Sequence, residues 1–189
     1  MKKLLLLLMI VPMIGFGQEI GCTSGDCENG KGTYIWENGD KYSGEFKDGE
    51  RNGKGTFTDN VGNFYIGEWK DNQYHGHGHR QASNGSTSYK GEFKNGKPDG
   101  QGTYTWHDEG NGKFVGYVGG HKDGKHHGIG MFVYKEGNYE KAYYENGELM
   151  FRVCFNKRGK EIETSGAGFA PPYDNTSLPV GPYPFKKSK

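Results

Sequence analysis

The phrase YSGEFKDGERNGKGTF, Tyr42 to Phe57, returns as YIGEWKDNQYHGHG from Tyr65, as YKGEFKNGKPDGQGTY from Tyr89 and, more worn, as YVGGHKDGKHHGIGMF from Tyr117. The starts lie 23, 24 and 28 residues apart. A period in the twenties marks an array whose unit is one supersecondary element, too small to bury its own apolar face and stable only when stacked on its neighbours. A half copy, ENGKGTYIW from Glu28, precedes the first full unit, and a degenerate one, YEKAYYENGELMF from Tyr139, follows the last. Such atypical end units are expected, because they cap a stack and do not extend it.

The glycines decide what the unit is. Four of the sixteen residues from Tyr42 to Phe57 are glycine, a density that disfavours helix. Disordered chains are poor in aromatics, whereas this one holds 13 tyrosines and 11 phenylalanines, many of them at fixed positions of the repeat. Alternation along a strand puts Tyr42, Gly44 and Phe46 on one face and Ser43, Glu45 and Lys47 on the other, and Asp48-Gly49 between the two halves is hairpin-turn chemistry. Pairing Phe46 with Gly53 then sets Gly44 against Gly55 and Tyr42 against Phe57. In this register the glycines are holes that receive rings. Burying a ring of roughly 150–250 Å² at about 25 cal/mol per Å² outweighs the cost of two or three glycines, provided that hairpins stack. The expected fold is therefore all-β, an elongated, twisted sheet of consecutive antiparallel β-hairpins.

Columns across the repeats carry the same message. Tyr42, Tyr65, Tyr89 and Tyr117 form one, Phe46, Trp69, Phe93 and His121 a second, and Tyr34, Phe57, Tyr104 and Phe132 a third. On the opposite face Glu45, Glu68 and Glu92 run beside Lys47, Lys70, Lys94 and Lys122, an arrangement read as keeping a long sheet soluble.

Tyr-x-Gly-Glu-Phe/Trp, followed by Lys-Asp/Asn-Gly and Gly-x-Gly, resembles the MORN repeat (membrane occupation and recognition nexus). It is matched at Tyr42 to Gly55, at Tyr65 to Gly78 with Asn72 in place of a turn glycine, at Tyr89 to Gly102 and loosely at Tyr117 to Gly130. The resemblance implies a hairpin array that holds other proteins, itself or acidic phospholipid head groups, with no catalysis by the repeats and no cofactor; here it takes the form of an exported bacterial array. Gly120 and His121 depart from the pattern, and WHDEGNGKFVG adds residues before the fourth unit, so a longer loop and looser packing are expected there. The organisation expected is a leader over 1–17, a partial repeat over 18–41, four repeats over 42–138, a degenerate repeat over 139–159 and a Pro/Gly-rich tail over 160–189.

The leader rests on Lys2 and Lys3, the apolar run Leu4 to Ile14 and small residues before Gln18, a secretory pattern too short to span a membrane. The expected location is therefore exported: periplasmic, secreted or peripherally attached to the cell envelope, with no transmembrane span in the mature chain. Of 24 lysines and arginines, 22 remain without Lys2 and Lys3, against 23 acids, and this near-neutrality argues against a nucleic-acid partner. In an exported chain Cys22 and Cys27 could close a small loop, while Gly21 before Cys22 keeps a lipid-anchor reading open. Cys154 alternates with apolar neighbours like a buried strand residue. The tail is either solvated or a strap along the sheet through Phe169, Tyr173, Tyr183 and Phe185.

Candidate binding residues are the aromatics Tyr42, Tyr65, Tyr89, Tyr117 and Trp69 and the lysines Lys47, Lys70 and Lys94. They suit a protein partner, or a lipid or glycan surface; the lysines are expected to be compensated by nearby acids. Open edges allow self-association. His75, His77 and His79 alternate and so share a strand face, a candidate metal site. Against it, same-face neighbours are roughly 6.6 Å apart, and the counterparts of His75 are Asn29, Asn52, Asp99 and His127, as at a solvated position. Recurrent acids belong to the repeat and no cysteine sits in a nucleophile setting, so no enzyme is expected.

Overall fold

The computed structural model describes residues 19–106, 114–134 and 136–166. Among them thirteen strands form one antiparallel sheet in which each strand pairs with the next in sequence. They are β1 (Gly21–Gly25), β2 (Lys31–Ile35), β3 (Lys41–Lys47), β4 (Glu50–Thr58), β5 (Phe64–Lys70), β6 (Gln73–Gln81), β7 (Thr87–Lys94), β8 (Lys97–Trp106), β9 (Phe114–Lys122), β10 (Lys125–Tyr134), β11 (Tyr139–Glu145), β12 (Glu148–Phe155) and β13 (Glu161–Gly166). At about 4.8 Å per strand, the sheet extends roughly 58 Å along its hydrogen bonds. The leader, the inserted 107–113 segment and the tail from 167 onward lie outside the described residues.

Asp48-Gly49, Asp71-Asn72, Asn95-Gly96, Asp123-Gly124 and Asn146-Gly147 all have positive φ at both residues, the backbone that a two-residue hairpin turn requires. Asn72 replaces a glycine here because a short polar side chain tolerates the left-handed region. All five turns lie along one margin of the sheet. There each hairpin is tied to the one before it by backbone: Asn72 N–H donates to Arg51 C=O at 3.1 Å, Gly96 to Tyr74 at 2.9 Å, Gly124 to Pro98 at 2.8 Å and Gly147 to His126 at 2.9 Å.

Gly44 pairs with Gly55 and Tyr42 with Phe57, as the alternation requires, but Phe46 pairs with Arg51 and not with Gly53. A bulge intervenes. Gly53 adopts φ of 70° and pairs instead with Trp69 of the next hairpin. The later units shift register at the same place, between Gly67 and Glu68, Gly91 and Phe93, and His126 and Gly130. Three residues, Asn52, Gly53 and Lys54, face the single Glu45, so two extra residues are taken up while the faces are kept, a local rearrangement that face alternation does not encode.

The ring-into-hole packing is present within each hairpin. A Cβ on Gly55 would lie 2.3 Å from the Tyr42 hydroxyl and 2.5 Å from its ring; Gly78 under Tyr65, Gly102 under Tyr89 and Gly130 under Tyr117 repeat the arrangement. Each tyrosine lies over its glycines and donates its hydroxyl to a backbone carbonyl three residues on: Tyr42 to Glu45 at 3.0 Å, Tyr65 to Glu68 at 2.8 Å, Tyr89 to Glu92 at 3.2 Å and Tyr117 to Gly120 at 3.0 Å. Between hairpins the second column bridges, with Trp69 Nε1–H donating to Gly55 C=O at 3.1 Å and its ring edge-on to Tyr42 at 5.1 Å.

Looser packing of the fourth unit is not found. Tyr117 is fully buried, and Gly119 pairs with Gly130 as Gly44 does with Gly55. His121 fills the phenylalanine position as a buried ring, edge-on to Tyr89 at 5.1 Å and to Tyr117 at 5.2 Å. Beyond it the tyrosine column ends in Glu140, buried beside Tyr134, whose hydroxyl donates to its carboxylate at 2.6 Å, with Arg152 at 3.7 Å. Ala142 replaces the paired glycine opposite Gly130, so the lock is not repeated and the stack closes in a polar cluster. At the other end Cys22 and Cys27 form a disulfide that clips β1, and Cys154 is unbridged, its thiol pushed up by burial and by Glu140.

Candidate binding faces

Strand pairing sorts the side chains onto two faces. One carries every ring column, and β2 to β10 place no Asp or Glu on it. Tyr42, Tyr65, Tyr89, Tyr117 and Trp69 are all on this face and all buried. As residues that touch a partner they are corrected: lying flat over bare backbone withdraws them from solvent and makes them the floor. Burial also pushes the Tyr42 and Tyr89 phenols up to about 12 and those of Tyr65 and Tyr117 further.

What faces outward is a second layer over the floor. Trp36, Phe57, Tyr74, Tyr104 and Trp106 are half-buried rings packed against the core clusters. Arg51 lies over the Trp69 ring at 4.5 Å and near those of Trp36 at 5.6 Å and Phe57 at 5.5 Å, while its guanidinium donates to Asn72 C=O at 2.9 Å. This is a cation held between electron-rich rings. Tyr74 stacks on Tyr65 with centroids 3.8 Å apart, and His126 covers Tyr117 at 4.2 Å. The result is an aromatic groove whose ionisable side chains, over β2 to β10, are arginine, histidine and tyrosine.

On the opposite face the glutamate column has a structural task. A Cβ on the bulge glycine Gly53, Gly76 or Gly100 would meet the carboxylate of Glu45, Glu68 or Glu92 within 2.1–2.6 Å. Glu92 accepts from Gln101 N–H at 2.8 Å and Glu68 from His77 N–H at 3.3 Å, so these carboxylates close over the bulge and take its spare donors. Lys47 has Glu50 opposite it, but Lys70, Lys94 and Lys122 have no acid in the facing position. Lys47, Lys70, Lys94 and Lys122 are exposed, and among the described residues none makes an ion pair. Lys94 sits opposite Lys97 and Lys122 opposite Lys125. Lys70, Lys94, Lys97, Lys122 and Lys125 thus make a row about 24 Å long at the tight-turn margin, in which Gln73 is the one position of another type. Like charges directly opposite destabilise a sheet, so this row is held at a cost.

His75, His77 and His79 share that same face. His79 packs edge-on against Phe64 at 5.4 Å, and burial, with Lys90 nearby, lowers its pKa. His75 pairs with Glu68, its Nδ1 buried without a hydrogen-bond partner. Among the described residues no group of three or more His, Cys, Asp or Glu is placed to hold a metal. The position before the bulge glycine is also not simply solvated: Asn29 Oδ1 accepts from Asp48 N–H at 3.0 Å, Asp99 Oδ2 from Asp123 N–H at 3.1 Å and His127 Nδ1 from Asn146 N–H at 3.2 Å, each capping the turn of the next hairpin.

The MORN repeat family model matches residues 28–41, 42–64, 65–87, 89–110 and 117–139. The chain is a MORN-repeat protein. Its repeats start at Tyr42, Tyr65, Tyr89 and Tyr117, with the half unit from Glu28 matched as a fifth. MORN repeats are in general modules for binding proteins or membrane lipids, and the fold is in general non-catalytic. No curated protein matches the chain. Among the described residues of this MORN array no helix is long and apolar enough to cross a membrane.

Sequence reasoning passed over Arg51, Arg80 and Pro98. They occupy ring columns without being rings, and the signal was there: aligned units differ at these places while everything around them repeats.

Proposed function

We propose that this MORN array is a non-enzymatic scaffold, exported to the cell envelope, that holds a protein partner along its aromatic groove. The supporting observation is the groove itself, a row of half-buried rings on a face whose strands β2 to β10 carry no carboxylate. Half-exposed rings gathered on one face are what interaction sites present. The test is affinity capture from envelope extracts, then saturable rebinding of the captured protein to the purified chain. Trp36→Ala and Phe57→Ala are expected to weaken rebinding, and Lys94→Glu to leave it unchanged. Failure to obtain any saturable partner refutes the reading. Export is tested by the N-terminus of the protein recovered from cells, expected at Gln18.

The lysine row supports a second reading, in which the opposite face rests on an anionic lipid surface. Lysines near such a surface contribute about 1 kcal/mol each. Co-sedimentation with phosphatidylglycerol vesicles is expected at low salt and not with neutral vesicles, and Lys94→Glu with Lys122→Glu is expected to abolish it. Equal binding to neutral vesicles defeats this reading.

A further inference from the structure

In three hairpins the groove floor is covered from within. Arg51 lies over the Tyr42–Trp69 pair, Tyr74 stacks on Tyr65 at 3.8 Å and His126 covers Tyr117 at 4.2 Å. Pairing puts each at the same place, opposite the second-column ring: Arg51 opposite Phe46, Tyr74 opposite Trp69, His126 opposite His121. In the remaining full repeat the residue opposite Phe93 is Pro98. A proline ring is too short to lie over Tyr89. The flanking column is depleted at the same spot, because Arg80 stands where Phe57, Tyr104 and Phe132 stand in their strands. Arg80 is exposed, and among the described residues it makes no hydrogen bond or ion pair.

At these two departures lies a cavity of about 320 Å³ whose inner wall is Tyr89, Phe93, Tyr104 and Pro98 and whose outer wall is Arg80 with the polar residues around the β6–β7 connection. That volume is at the lower end for small-molecule sites and suits one large side chain with its adjoining backbone. The neighbouring hairpins show what fills such a place: a flat ring laid on the floor tyrosine. Arg80 adds a guanidinium, whose planar fork matches a carboxylate, and no strand from β2 to β10 supplies one on this face.

We infer that the third repeat carries the specificity pocket of the groove, built to receive one aromatic side chain of a partner protein that has an aspartate or glutamate beside it. The inference rests on the groove as the binding face and names the chemistry that the groove selects. The partner's ring takes the place beside Pro98 that Arg51, Tyr74 and His126 fill in the sister repeats, against the edge of Tyr89 that lines the cavity, and its carboxylate pairs with Arg80.

The test is to pan a randomised heptapeptide library against the purified chain and measure the enriched peptides by calorimetry. Peptides with an aromatic residue next to Asp or Glu are expected, bound roughly tenfold more weakly by Arg80→Ala. Two plugs copied from sister hairpins, Pro98→Tyr and Pro98→Arg, are expected to abolish binding without lowering the melting temperature. Two plugs guard against one of them failing to fold. Enrichment of peptides lacking the ring or the acid overturns the inference, as does binding that both plugged chains retain. Enrichment only after Tyr173 and Asp174 are replaced assigns the pocket to the chain's own 167–189 segment and likewise overturns it. Peptides that bind but respond only to Trp36→Ala and Phe57→Ala sink this pocket and leave the groove reading standing; no binding by peptide or captured protein sinks both.

Discussion

Acidification from pH 7 to pH 5 is expected to destabilise the array chiefly through His121. Its ring fills a core position where two sister units use Phe46 and Phe93, and its Nδ1 is buried without a hydrogen-bond partner. Tyr89, Tyr117 and His126 pack around it, the last at 5.4 Å, and β8 to β10 place no carboxylate on this face to stabilise an imidazolium. Burial, then His126, lowers its pKa from 6.5 to about 4. The folded chain thus holds His121 neutral where the unfolded chain takes up a proton, so its contribution is complete above 6.5 and is lost as pH falls toward 4. Linkage over that interval gives about 2 kcal/mol lost by pH 5 and about 3 kcal/mol below pH 4. For a folded region of this size, 2 kcal/mol lowers Tm by roughly 4–8 °C. The assay is a thermal melt by circular dichroism at half-unit steps between pH 7 and 5, for the parent and for His121→Phe, since the difference cancels carboxylates common to both. The phenylalanine variant is expected to lose most of the slope while His126, lowered in the same direction, retains a smaller part. Identical slopes for the two chains, or a flat parent, would refute the reasoning.

Other expectations follow from the packing. Gly55→Val drives a side chain into the Tyr42 ring, where even a Cβ lies 2.3 Å from the hydroxyl, and is expected to cost about 2–4 kcal/mol by denaturant melt; an unchanged midpoint would remove the ring-in-hole argument. Tyr65→Phe deletes the bonds to the Glu68 and His75 carbonyls and should cost about 1–2 kcal/mol, with no change in fold by far-ultraviolet dichroism. Reducing the Cys22–Cys27 bridge, which spans a separation of 5 residues, should cost at most about 2 kcal/mol and speed amide exchange in β1 and β2 alone.

Much of this was legible in the repeat. The tight turns, the Gly44–Gly55 and Tyr42–Phe57 pairs and the glycine holes all follow from period and alternation, because both read directly on strand faces. The bulge did not, although its trace was present: Gly53, Gly76, Gly100 and Gly128 recur four or five residues after the turn in every unit, one more glycine than the rings require. Missing it hid why Arg51 faces Phe46 and why the glutamates recur, since a column of acids looks like surface until the donors that it closes over are located. Alternation alone likewise makes the tyrosines look like a contact stripe. Alternation assigns a face, whereas the depth of a ring on that face depends on the residue that covers it.

The two long margins of the sheet are fastened differently, and this governs where the chain can be rebuilt. At the tight-turn margin a peptide-to-peptide bond ties each hairpin to the one before it and a side chain such as Asn29, Asp99 or His127 caps the turn beside it, so an added residue breaks two bonds at once. Across the sheet it relies on single side chains, Asp40 accepting from Asn60 N–H at 2.9 Å, Asn63 from Ser83 N–H at 2.9 Å and Asn138 from Lys157 N–H at 3.1 Å. Lengthening a connection there forfeits one such bond and a little chain entropy, about 1–2 kcal/mol in all. That margin is therefore where a reporter domain can be grafted while the array keeps its shape.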